Sequence, residues 1–229
     1  MRTHLTGLKT LALALAAVAA AVPTTLLAAP ASAVPSSDDC ASVVVLAARG
    51  TGEAAGTGRI GSLAGSIANG SAATVRTQAL DYPANLNYIA SVNAGSTETR
   101  EVLEGLAERC PSTRTVLVGW SQGAHALGDA LDARGTQLSA AAARNVKAVV
   151  FYGDPSFRAA EAFTRGTHTS KNGIFVRPSG DLSGFATRIA SYCDTGDRYC
   201  QAGDSDVPVH SGYFARYDGE ATSFALARL

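Results

Sequence analysis

Apolar and polar positions along this chain fall into two alternating rhythms. Short, nearly unbroken apolar runs are separated by longer stretches in which apolar residues recur at helical spacing. The first run, Ser42–Ala48, reads as a strand buried on both faces. Residues Ile60–Asn69 follow, with Ile60, Leu63, Ala64 and Ile67 on one helical face. Thr74–Leu80 predicts a second strand. Ser96 is placed to cap a helix through Arg109, with Val102, Leu103 and Leu106 inward and Pro111 past its end. Then come a strand ending at Val118, a helix from Gln122 towards Arg134, and a strand at Val146–Tyr152. Gly173–Val176 predicts a shorter strand and Glu220–Arg228 a last helix.

Strand, helix, strand in this order predicts an α/β fold, a mostly parallel sheet flanked by helices on both faces. Such sheets place their sites at the carboxyl ends of strands. No repeat and no linker divides the chain. The Gly-, Asp- and Ser-rich segment 179–212 carries few strand signals and is expected to be a long loop region, of the kind that often carries function.

The amino terminus departs from both rhythms. Arg2, His4 and Lys9 precede an apolar stretch from Leu11 to Val22, and Ala31-Ser32-Ala33 follows. This is the pattern of a signal peptide over residues 1–33, leaving a single domain at 34–229 that is exported and soluble. The apolar run is too short and too rich in Ala for a spanning helix, so no stable membrane insertion is expected. The whole chain holds 19 basic and 19 acidic side chains; the leader takes Arg2 and Lys9 and no acid, so 17 then face 19. A balance of about −2 gives no electrostatic footprint for nucleic acid and no polybasic membrane patch.

Four cysteines remain, Cys40, Cys110, Cys193 and Cys200. An even count in an exported chain predicts two disulfides. Cys193 and Cys200 lie close enough to close a small loop, which leaves Cys40 with Cys110. No Cys-x-x-Cys pair supports a zinc site instead.

The chemistry centres on Gly119-Trp120-Ser121-Gln122-Gly123, directly after Thr115-Val116-Leu117-Val118. A β-branched run breaking into Gly-x-Ser-x-Gly reads as a nucleophile elbow, a strand-to-helix turn that projects the serine hydroxyl from the sheet. A serine hydroxyl needs a base, and three histidines lie beyond the leader. His125 is held inside the elbow helix, and His168 sits in a polar loop. His210 alone fits the chain order Ser, Asp, His of α/β-hydrolases. The acid must lie between Ser121 and His210. Asp129 and Asp132 are expected to face solvent, Asp154 follows a strand directly, and Asp197 lies inside the Cys193–Cys200 loop; position alone leaves the choice open.

An oxyanion hole needs two preorganised N–H donors. The amide of Gln122 at the helix start is one, and the loop Ala48-Arg49-Gly50-Thr51-Gly52-Glu53 offers the other, with the Thr51 hydroxyl beside it. The same loop carries Gly-x-Gly spacings that resemble a dinucleotide fingerprint, with Asp81 ending the next strand. A Gly-rich motif of this kind is weak on its own, and export removes the chain from the nicotinamide pool. Asp194, Asp197, Asp204 and Asp206 cluster without the spacing of an EF-hand, so no metal and no organic cofactor is expected. A catalytically silent fold that binds carbohydrate or a surface is the competing class, opposed by the intact Ser121, Asp197 and His210.

Taken together, these residues resemble the cutinase family over essentially the whole mature chain. Ala48–Glu53 is similar to the family's Ala-Arg-Gly-Ser/Thr loop, and Gly119–Gly123 to its Gly-Tyr-Ser-Gln-Gly elbow. Cys193-x-x-x-Asp197-x-x-Cys200 matches its Cys-x-x-x-Asp-x-x-Cys loop, with His210 at the family's interval and Cys40 and Cys110 at its other bridge. The resemblance implies an α/β-hydrolase with a five-stranded, mostly parallel sheet, no large lid and an exposed site. It selects Asp197 as the acid and implies Ser121 as nucleophile, His210 as base, and Thr51 with Gln122 as the oxyanion hole. The expected substrates are cutin-like polyesters or short- to medium-chain acyl esters, with acetylated polysaccharide or lipid as alternatives, acted on by a monomer. Two positions depart from the family pattern. Trp120 stands where Tyr is common, a change of packing. The stretch before His210 begins Asp204-Ser205-Asp206 and turns apolar only at Val207-Pro208-Val209, a charged rim that argues against docking on a waxy polymer.

Overall fold

The computed structural model describes residues 40–205 and 207–229. The proposed leader at 1–33 and the rim residue Asp206 lie outside them. The described strands form one sheet of six parallel strands in the order β2-β1-β3-β4-β6-β5. They are β1 (Val43–Ala48), β2 (Val75–Ala79), β3 (Arg114–Trp120), β4 (Val146–Tyr152), β5 (Thr164–Arg165) and β6 (Ile189–Tyr192). The helices are α1 (Gly61–Gly70), α2 (Tyr88–Arg109), α3 (Gln122–Leu131), α4 (Ala140–Asn145), α5 (Val207–His210) and α6 (Tyr213–Leu226).

The near-continuous apolar strands follow from coverage on both faces. Val43, Val45 and Ala47 of β1, Val116, Val118 and Trp120 of β3, and Ala148, Val150 and Tyr152 of β4 pack with α1 and α6. Their alternates Leu46, Ala48, Leu117, Val149 and Phe151 pack with α2, α3 and α4. In register, Gly119 and Trp120 of β3 stand beside Phe151 and Tyr152 of β4, so the loops after these two strands open at the same end of the sheet.

Several expectations are corrected. Gly173–Val176 is not a strand: Phe175 donates its amide to the Pro155 carbonyl and Ile174 to that of Tyr199, so the segment bonds to loops. The place beside β4 is taken by β6, which lies inside the stretch expected to be loop. With the two-residue β5 added at the edge, the sheet has six strands in place of five. Ser96 is not a cap; α2 begins at Tyr88, and Ser96 is buried mid-helix where its hydroxyl accepts from Arg100 at 2.7 Å. The last helix likewise starts earlier, at Tyr213. Both predicted bridges are present, Cys40–Cys110 and Cys193–Cys200.

Candidate active site

The turn after β3 is built by contact distances. A Cβ on Gly119 would lie 2.8 Å from the backbone of Ala124, and one on Gly123 would lie 2.1 Å from the carbonyl oxygen of Ala48. Only glycine lets α3 start this close to β1 and β3. Between them Ser121 takes φ 54° and ψ −122°, a conformation that costs a non-glycine residue free energy and is held by its surroundings. Its amide donates to the Tyr152 carbonyl at 2.8 Å, and its carbonyl accepts from His125 at 3.1 Å, which starts the helix.

Ser121 and His210 line one open groove of about 480 Å³, together with Thr51, Leu86, Tyr88, Trp120, Pro155, Ile174, Phe175, Tyr199 and Ser211. His210 closes the short α5. Its Nδ1 lies 2.8 Å from Oδ2 of Asp197, whose side chain is fully buried. The ring is held between Tyr199, centroids 4.4 Å apart, and Trp120, at 5.4 Å. Trp120 also donates its indole N–H to the His210 carbonyl at 3.1 Å. The tryptophan of the elbow therefore fixes the backbone of His210 as well as its ring, more than the packing change expected.

Asp197 sits in the loop closed by Cys193 and Cys200. Its Oδ1 accepts from the Tyr199 amide at 2.9 Å, and its Oδ2 accepts from the Tyr213 hydroxyl at 2.6 Å as well as facing His210. Burial pushes its carboxyl up. The bond to His210, the imidazole's charge, the Tyr213 hydroxyl and the Tyr199 amide outweigh that and hold it below the usual carboxylate range. The Tyr213 hydroxyl is pushed far up, first by burial and then by the Asp197 charge, so it stays a donor. Gly153, with φ 55°, passes against the pair: a Cβ there would lie 2.8 Å from the imidazole and 3.0 Å from Oδ2 of Asp197. Tyr213 and Gly153 lie outside the sequence motifs, and Tyr199 stands at an unspecified position of the Cys193–Cys200 loop. Only their nearness in sequence to Asp197, His210 and the end of β4 pointed to them.

The loop after β1 is equally fixed. Buried Arg49 donates to the carbonyls of Glu53, Leu80 and Tyr82, and the Tyr82 hydroxyl donates back to the Arg49 carbonyl at 2.5 Å. The Glu53 carboxylate accepts from the amides of Gly50 at 2.7 Å and Arg59 at 2.9 Å. A nucleotide phosphate would need such amides, and a built-in carboxylate already occupies them, which disposes of the dinucleotide reading. Thr51 faces the groove. Gln122, the first residue of α3, has an amide without an intrahelical acceptor. Its side chain accepts from Ser91 at 3.0 Å and donates to the Asn85 carbonyl at 3.0 Å, tying the β2–α2 connection to the elbow.

The remaining candidates lie elsewhere. His125 is buried, with Nδ1 at the Tyr88 hydroxyl and Nε2 near Asp129. His168 pairs Nδ1 with the Thr169 carbonyl and meets Phe157 edge-on. Asp154 accepts from Ser156 and faces Arg177 at 3.3 Å. Asp129 and Asp132 are not solvent-facing: Asp132 is buried beside Arg134 and Asp129 half-buried beside Arg177, because each has a guanidinium to neutralise it. Asp194 takes Arg216, Tyr217 and Thr167, while Asp204 takes Lys171 and the Gly196 amide. Exposed apolar side chains also stand at the groove: Leu86, Ile174 and Phe175 line it, and Ile89 and Val176 beside them in sequence are exposed as well. Leu86 comes from the β2–α2 connection, Ile89 from the start of α2, and residues 174–176 from the β5–β6 connection, all remote in sequence from the Asp204 stretch.

A parallel sheet with this strained serine between strand and helix, and a buried carboxylate–histidine pair on the same groove, defines an α/β-hydrolase. The chain belongs to the cutinase family, whose model matches residues 39–229. It is 32% identical over 208 residues to acetylxylan esterase 2 of Talaromyces purpureogenus, covering 83% of this chain and 88% of that one. It is also 32% identical over 219 residues to phospholipase Culp4 of Mycobacterium tuberculosis, covering 92% and 89%. The catalytic core domain of acetyl xylan esterase from Trichoderma reesei shares the fold at a TM-score of 0.78 and 32% identity, over 83% of this chain and 100% of that one.

Proposed function

We propose that this protein is an exported serine esterase, a carboxylic ester hydrolase working through an acyl-enzyme. Ser121 attacks the ester carbonyl while His210, oriented by Asp197, takes the hydroxyl proton. The amides of Thr51 and Gln122, with the Thr51 hydroxyl, receive the developing oxyanion. His210 then gives the proton to the departing alcohol, the acyl group stays on Ser121, and water activated by His210 releases the acid. The observation that carries this reading is the 2.8 Å contact between His210 and a fully buried Asp197 at the groove that also holds Ser121.

Residues 1–33 are read as an export leader and 34–229 as the catalytic domain. Two disulfides and the similarity to fungal and bacterial esterases support an extracellular setting. Among the described residues no helix is long and apolar enough to cross a membrane. The apolar rim favours an acyl ester with a hydrocarbon tail over acetylated polysaccharide. The second substrate is kept because relatives named acetylxylan esterase match at 32% identity.

The test is hydrolysis of p-nitrophenyl esters from acetate to palmitate by residues 34–229 and by Ser121→Ala. Activity that disappears in Ser121→Ala supports the reading. A wild type inactive on every ester, or a variant equal to it, overturns it.

A further inference from the structure

Two segments supply one apolar side of the groove, Leu86 and Tyr88 around the start of α2 and Ile174 with Phe175 in the β5–β6 connection. The segments meet at one point. The rings of Tyr88 and Phe175 stack with centroids 5.0 Å apart and planes 20° apart. Both rings also lie against the imidazole of His125, at 5.8 and 5.7 Å. His125 is one helical turn beyond Ser121 on α3, and both of its nitrogens are engaged: Nδ1 meets the Tyr88 hydroxyl at 3.2 Å and Nε2 lies 3.4 Å from Asp129. Asp129 in turn holds Arg177 at 2.8 Å. Arg177 is buried, follows Phe175 by two residues, and also donates to the His125 carbonyl at 3.3 Å.

Filling the space beside an apolar groove needs only a leucine. A buried imidazole with both nitrogens engaged does something leucine cannot: it fixes where two separate rings stand relative to the elbow. The β2–α2 connection is held as firmly from the other side. Ala84 takes φ 48°, its carbonyl accepts from Gly52 at 2.6 Å, and the neighbouring Asn85 carbonyl accepts from Gln122. Strain of this kind persists only where the surroundings over-determine it.

We propose that Tyr88 and Phe175 form the wall against which the substrate's acyl chain ends, and that His125 is the positioning residue that sets where this wall stands. The inference rests on the ester-hydrolase reading and gives it a substrate class, acyl esters whose hydrocarbon tail fills the groove as far as the stacked pair. Leu86, Ile174 and Phe175 offer such a tail carbon surface and no donors, as apolar ligand sites do.

The experiment measures kcat and KM along the p-nitrophenyl ester series for the wild type, Phe175→Ala, Tyr88→Phe and His125→Leu. In the wild type, kcat/KM should climb about fourfold per methylene buried, until the chain end reaches the wall, and then fall. Phe175→Ala, at a half-exposed position that tolerates truncation, moves the optimum to a longer chain. Tyr88→Phe keeps the ring but loses the bond to His125, and it broadens the optimum through KM with little change in kcat; His125→Leu does the same more strongly. An optimum that stays at the wild-type length in Phe175→Ala and Tyr88→Phe, with all esters slowed by one common factor, overturns the inference while leaving the esterase reading intact. A wild type that hydrolyses none of the esters overturns both.

Discussion

At the scale of single residues, the site depends on side chains with no freedom to move. Asp197 has its two oxygens engaged by Tyr199, Tyr213 and His210, and Gly153 leaves no space beside it. Gly153→Ala should therefore keep the fold but displace the imidazole, lowering kcat by about 100-fold, the usual effect of an ångström-scale misplacement. Steady-state kinetics beside a thermal melt checks this, and an unimpaired kcat would count against the packing described. The Asp197 carboxyl is held below its unfolded value of about 3.9. Its contribution to stability is thus complete above that pH and is lost as the pH falls through the lower folded value. Denaturant unfolding from pH 6 down to about pH 2 should show the wild type losing more stability than Asp197→Asn below about pH 4. Parallel curves would contradict the assignment. Ser121 and His210 stood out in the sequence through Gly-x-Ser-x-Gly and the chain order, whereas position alone left several Asp open and only the family resemblance selected Asp197. Tyr213 was not legible, because the hydroxyl that holds Asp197 comes from a helix whose start carries no motif.

At the scale of elements, the sequence pattern located β1 to β4 and failed where tertiary contacts override local preference. The first half of α2 is rich in Ser, Asn and Gly, weak helix formers, and it is held by packing: a Cβ on Gly95 would lie 2.9 Å from Cβ of Ala126. The run Ile174-Phe175-Val176 looks like a strand because its apolar residues imply burial, yet all three are exposed and Ile174 and Phe175 face the groove. Strand β6 has only four residues and was hidden in polar surroundings. The two disulfides separate stability from catalysis. Cys40–Cys110 spans 70 residues of chain, and its removal by double Ser substitution should cost about 4 kcal/mol with kcat retained. Cys193–Cys200 spans seven residues, and its removal should cost only about 2.5 kcal/mol but lower kcat, because its loop holds Asp197. Equal effects of the two removals on kcat would contradict this division.

For the whole molecule, the sheet places its reactive groups at one end, where the loops after β1, β3, β4 and β6 all contribute to the site. Order along the sheet explains this better than order along the chain: β1, β3, β4 and β6 are neighbours, although the residues they deliver run from Thr51 to His210. The fold class was legible because alternating strands and helices admit few topologies. The apolar rim was not, because its parts lie about 90 residues apart in sequence, at Leu86 and Ile174. The proposed export leader predicts a mature protein beginning near Val34; sequencing the amino terminus of secreted material checks it, and an unprocessed Met1 would contradict it. The most direct test of the central claim is reaction of residues 34–229 with a fluorophosphonate, followed by peptide mass spectrometry. One adduct on the peptide bearing Ser121, absent from Ser121→Ala and strongly slowed in His210→Ala, is the predicted result. No adduct on the wild type, or equal labelling of Ser121→Ala, would contradict it.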